Sequence, residues 1–151
     1  MAATKFVDAL ARCPGCRGED ADAVGAYTQV TLEEARRILG DETVPDTWVT
    51  VPPHRRPTTG PLAAKWANIS NPVVPLVRNL YGHPIAGLLW EKYCEEKLIG
   101  LGFEKVRGWE SLYVHRTKQL FLNVYVDDFH CAGKAVNPVS YTHLRAHETI
   151  Q

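Results

Sequence analysis

At 151 residues, 45% of them hydrophobic, with four Trp, six Tyr and four Phe, the chain can bury the core of one modest domain, which excludes global disorder. Lys plus Arg and Asp plus Glu both total 17, so there is no net charge. A self-sufficient nucleic-acid binder, which would be visibly basic, is disfavoured. No apolar run of about 18 residues predicts a membrane span, and the opening MAATKFVDALARC lacks the pattern of a secretion signal. Cys13, Cys16, Cys94 and Cys131 are too scattered for a disulfide framework, so a reducing intracellular compartment is expected.

Residues 5–12 (KFVDALAR) read as the end of a helix stopped at Pro14-Gly15. GAYTQV, within Asp20 to Val30, is small and β-prone and predicts a strand entering a turn. Thr31 with Glu34 three residues on forms a capping box, predicting a helix from Leu32 to Leu39 that stops at Gly40. Trp48 to Val51 predicts a brief strand cut off by Pro52-Pro53, and HRRPTTGP a loop. Pro72 and Pro75 exclude a long helix between Lys65 and Val77.

From Ile85 the pattern changes. Ala86, Trp90, Cys94, Leu98 and Leu101 recur every three to four residues, one apolar helical stripe, with Lys92, Glu95 and Glu96 on the other face. Leu112 to Val114 and Leu120 to Val126 predict two strands separated by HRTKQ, and Phe129 to Ala132 a third, joined to the second through Asp127-Asp128 as a hairpin. The mix is α+β, helices packed on an antiparallel sheet. From Asn137, NPVSYTHLRAHETIQ has neither stripe nor alternation and resembles a non-biological tail read from adapter or vector bases. His143, His147 and Glu148 in it mimic a metal pattern, but HLRAH lacks the glutamate beside the first histidine that a zincin needs.

Two adjacent acids closing the apolar run LFLNVYV are expensive unless a positive group sits there, and a divalent cation is the obvious candidate. A third acid, Asp22, precedes Tyr27 by five residues. Three carboxylates at one point are the minimum equipment for metal-dependent nucleotidyl transfer, with Mg2+ or Mn2+ suited to oxygen donors. The bland readings stand beside these. Asp is common in turns, DAD is ordinary in a small-residue stretch, and Tyr27 is equally a core aromatic or a platform under a nucleotide sugar. Cys13-Pro14-Gly15-Cys16 has the spacing of half a zinc site with no close second pair. His54 and His83, both beside prolines, read as loop residues.

The ordered series LYG, Trp90 on the following helix, the LGF turn, the LYV strand and YVDD followed by AG resembles the reverse transcriptase of Ty1/copia-type retrotransposons. With DAVGAY and TWVTVP the resemblance covers about residues 20–134, leaving 1–19 a poorly defined N-terminal segment and 135–151 a non-native or disordered tail. It implies a partial right hand of palm and fingers with a YVDD hairpin, adding dNTPs to a primer 3′-hydroxyl on an RNA or DNA template.

By motif, Asp22, Asp127 and Asp128 are the implied catalytic acids and metal ligands, Asp127 the surer of the adjacent pair. Tyr27 is the implied sugar gate, and Tyr81 and Gly82 lie beside the nascent base pair. HPIAGLLW departs from the family's commoner LKQAPRAW, with Ile85 where Gln is usual and Leu88 where a base is usual. Remaining polyprotein domains are implied partners, a virus-like particle in the cytoplasm the implied setting of the parent element, and no membrane is involved. A palm without its thumb clamps a primer–template poorly, so the chain alone is expected to be inactive or nearly so. The alternative is a non-catalytic retroelement remnant acting as a binding or structural module.

Overall fold

The computed structural model describes residues 2–40 and 44–134. Its centre is a five-stranded, wholly antiparallel sheet in the order β1-β7-β6-β5-β4, formed by Cys16–Asp22 (β1), Asp128–Lys134 (β7), Leu120–Tyr125 (β6), Leu112–His115 (β5) and Glu104–Lys105 (β4). Trp48–Thr50 (β2) and Val73–Pro75 (β3) pair separately as a two-stranded ribbon. The helices are Ala2–Ala11 (α1), Ala26–Gln29 (α2), Leu32–Leu39 (α3), Pro61–Ala67 (α4) and Ala86–Gly100 (α5). The mixed α+β class expected from the pattern is what forms.

Strand alternation divides the large sheet into two faces. Tyr113, Leu120, Leu122 and Cys131 point to one face and pack with Leu89, Trp90, Cys94 and Leu98 of α5 and with Ala26, Leu32 and Ala35 of α2 and α3. Each large apolar side chain buried there contributes roughly 1.5–3 kcal/mol, so this layer fixes α5 to the sheet. The apolar stripe of α5 lies as its spacing predicts, with Leu101 only partly buried. Glu95 of α5 pairs with Lys92 at 3.1 Å and with Lys105 of β4 at 3.4 Å.

On the opposite face α1 covers only one end. Ala3 and Val7 pack on Leu112 and Ala132, with Phe121 and Trp109 at the margin. Gly18 makes that approach possible, since a Cβ there would stand 2.6 Å from the Ala11 Cβ. At the seam, buried Asn123 donates to the Thr4 hydroxyl of α1 and accepts from the Ser111 hydroxyl. Its polarity is thereby satisfied where the apolar contact stops.

The Thr31 capping box forms as written: the Glu34 N–H donates to Thr31 Oγ1 at 3.1 Å and the Thr31 N–H to the Glu34 carboxylate at 3.2 Å. Three expectations are corrected. GAYTQV is not a strand. Gly25 at φ +61° turns the chain, and Ala26–Gln29 close one helical turn around fully buried Ala26. The strand entering that turn is the polar CRGEDAD, which is held by its backbone ladder to β7 and so shows no alternation of apolar residues. This strand crosses residue 20, so Cys16 to Glu19 lie in the same sheet strand as Asp20 to Asp22. Second, HRRPTTGP is not loop throughout: Pro53–Arg55 close a 3-10 turn at its start, and the loop ends at Gly60 because Pro61 starts α4 with the fixed φ suited to a first helical turn. Third, the β6–β7 hairpin turns on Val126-Asp127, and Asp128 is already in β7. The readings made on residues 135–151, including His143, His147 and Glu148, lie outside the described residues.

Candidate metal centre

Asp22 ends β1 and Asp128 begins β7, and the two are direct register partners. In an antiparallel pair such side chains leave the same face with Cβ atoms about 5 Å apart. Asp127 stands in the two-residue turn just before. One carboxylate oxygen from each of Asp22, Asp127 and Asp128 lies within 4.8 Å of the others. Asp22 and Asp128 are exposed and Asp127 is half-buried. Like charges directly across a ladder are destabilising on their own. Three hard oxygen donors at one point suit Mg2+ or Mn2+ and give nothing to a cation that prefers sulfur or imidazole.

The turn carrying Asp127 is strained and doubly tethered. Val126 has φ +57°, unfavourable for a β-branched residue and costing roughly 1–3 kcal/mol. Its carbonyl accepts the indole N–H of Trp90, a buried side chain of α5. The next carbonyl, that of Asp127, accepts the Ala23 N–H at 2.8 Å. Because Ala23 follows Asp22, this second tether also sets how far Asp22 stands from Asp127. The side chains of Tyr125 and Val126 otherwise face outward.

One step along the same face, His130 Nδ1 and the Asp20 carboxylate meet at 2.8 Å, across the register pair Asp20–His130. No family model, curated protein or solved structure matches the chain. The geometry therefore has to be read from these residues themselves.

The Tyr27 and Tyr81 rings lie with centroids 4.5 Å apart, tilted by 39°. Tyr27 is partly buried against the core while Tyr81 is exposed, and Gly82 turns the chain at φ +90°. Residues 54 positions apart thus form one aromatic step. It borders a cavity of about 960 Å³ whose walls include Tyr27, Trp90, Lys105, Trp109, Tyr125 and Val126. His83, read as a loop histidine, contacts Thr47 Oγ1 at 3.0 Å through Nε2, while its Nδ1 is buried and unpartnered among the described residues.

The cysteines take other roles. Cys13 is exposed and Cys16 half-buried, both are free thiols, and the acidic triad is the only group of three or more ligand residues among those described. Burial pushes the Cys94 thiol up to about 12, helped by the negative charge of Glu95, and does the same to Cys131, helped by Glu19. Both stay protonated at neutral pH and serve packing rather than ligation. No described helix is long and apolar enough to cross a membrane.

The triad was visible in the sequence as acids in suggestive places. What escaped notice was the Trp90 tether, because Trp90 already had a sufficient explanation as one member of an apolar stripe. Among the residues of that stripe the indole is the large side chain with an N–H to donate, and that is the signal that could have found it.

Proposed function

We propose that this chain is the metal-holding palm and part of the fingers of an RNA-directed DNA polymerase of the Ty1/copia type. The observation that carries the reading is the convergence of Asp22, Asp127 and Asp128, from two segments more than a hundred residues apart, at the tip of one hairpin. A turn that merely used Asp for its local hydrogen bonding has no need of Asp22. The motif series from LYG to YVDD adds the substrate class: a primer 3′-hydroxyl, an incoming dNTP and a template strand of RNA or DNA.

On this reading Asp22 and Asp127 would hold the ions with Asp128 assisting, and the Tyr27 ring would serve as the platform under the sugar of the nucleotide. Bound Mg2+ or Mn2+ supplies activation of the 3′-hydroxyl and charge neutralisation at the phosphates. The protein's own contribution is orientation. Tyr27 and Tyr81 offer aromatic faces to the base and sugar, and the 2′-hydroxyl is the group a packed Tyr27 would exclude.

Two measurements on the purified chain test this. Mn2+ titration of wild type against Asp127→Asn is expected to show saturable binding that the variant loses. Equal binding by both would end the metal reading. Extension of a labelled primer on an RNA or DNA template then separates an enzyme from a site-bearing module. Asp127-dependent synthesis marks a complete catalyst. Metal binding without synthesis marks a chain that needs the rest of the hand, the outcome expected here.

A further inference from the structure

We propose that Trp90 is a positioning residue for the metal centre, acting through the Val126 carbonyl; this rests on the metal reading above. The tip of the β6–β7 hairpin extends past the packed part of the sheet, with Tyr125 and Val126 exposed. Nothing in a valine favours the positive φ at which Val126 is held. A hairpin tip left to itself would relax toward a conformation that suits its residues, and the Asp127 carboxylate would swing with it.

Two hydrogen bonds oppose that relaxation, and they come from different parts of the fold. The Ala23 N–H on the Asp127 carbonyl continues the β1–β7 ladder and ties the tip to the strand that bears Asp22. The Trp90 indole N–H on the Val126 carbonyl ties it to α5. Trp90 itself cannot move freely. It is buried, and its helix is locked to the sheet by Leu89, Cys94 and Leu98. The indole is therefore a rigid post, and the strained residue hangs from it directly before the ligand Asp127. The strain and the tether compensate one another: a residue that accepted positive φ readily would need the post far less.

That reciprocity gives a test that packing alone would not pass. Mn2+ affinity is measured for the full chain with Trp90→Phe, with the Trp90 indole replaced by the isosteric benzothiophene that lacks the N–H, with Val126→Gly, and with each Trp90 change combined with Val126→Gly. The benzothiophene replacement keeps the shape of the core, so it remains informative if Trp90→Phe folds poorly. Loss of the N–H is expected to weaken Mn2+ binding roughly three- to tenfold. Val126→Gly alone is expected to change it less than about twofold, because glycine takes positive φ without penalty. The combined variant is expected to regain most of the lost affinity.

Asp127→Asn serves as the reference. Loss of binding in Asp127→Asn together with wild-type affinity in the benzothiophene protein would overturn the positioning role while leaving the metal site standing. Weakened binding that Val126→Gly fails to restore would overturn it as well, since it would mark Trp90 as packing only. Full Mn2+ binding by Asp127→Asn would remove the metal reading and this inference with it.

Discussion

The β1–β7 strand pair has two ends on one face, and they have opposite characters. At one end Gly18 and Ala132 lie under α1, so closely that a single Cβ at Gly18 would meet Ala11. At the other end, four residues along each strand, Asp22 and Asp128 occupy equivalent register positions with nothing described above them. Alternation gives both ends the same orientation. What differs is the cover: one end is closed by a helix and demands small apolar residues, the other is left bare and collects charge. Asn123, bonded to both Thr4 and Ser111, marks the border. A sheet face can thus be half core and half exposed acidic cluster, provided the covering helix is short.

The contrast is broken most severely by moving a charge to the covered end. Ala132→Asp sets an unpartnered carboxylate under α1 at a fully buried position, and denaturant unfolding should show a loss of roughly 3 kcal/mol or more. Survival of full stability would mean that α1 does not seal this end. Next in size, Mn2+ at a hundred times its dissociation constant should raise the stability of the wild type by about 2.7 kcal/mol and that of Asp127→Asn by almost nothing. Thermal unfolding with and without chelator measures it, and an equal shift in both proteins would exclude this triad as the site.

A smaller effect of opposite sign is expected at the bare end. Without metal, Asp128→Ala removes one of two like charges facing each other across the ladder and should stabilise the chain by about 0.2–1 kcal/mol. A loss instead would mean that Asp128 already has a favourable partner. The same kind of substitution thus destabilises at one end of β7 and stabilises at the other when reversed.

The smallest expected change sharpens the comparison by way of a carboxylate that does have partners. Burial works to raise the Glu95 carboxyl, but the hydrogen bond from Lys92 and the charges of Lys105 and Lys92 outweigh it and hold it below the usual carboxylate range. A lowered folded value gives stability that is present above the unfolded carboxylate pKa and lost as pH falls through the folded one. Glu95→Gln should therefore cost under about 1 kcal/mol at neutral pH, since its lysine partners are partly exposed, and should flatten the fall in stability below about pH 4. An unchanged acid limb would remove Glu95 from the balance.

Much of this fold is legible in the sequence because it follows from local rules. The Thr31 capping box, the Gly40 stop, the α5 stripe and the LYV and LFLNVY strands each announce themselves through neighbours three or four residues away or through alternation. β1 did not, since its residues are mostly polar and exposed and the strand it pairs with, β7, comes more than a hundred residues later. GAYTQV misled for the converse reason. Its β-prone composition is local, whereas Gly25 and the burial of Ala26 beneath α5 are decided by packing.

The sequence by itself determined which chemistry is available: three aspartates, two tyrosines before and after the ribbon, and an acidic pair closing an apolar strand. Only the tertiary structure decided that Asp22 faces Asp128 across a ladder, that Tyr27 lies against Tyr81, and that a core tryptophan holds the strained residue before Asp127. Residue identity and short-range periodicity are properties of the chain, but the meeting of side chains far apart in sequence depends on strand register and helix docking, which the whole core sets at once.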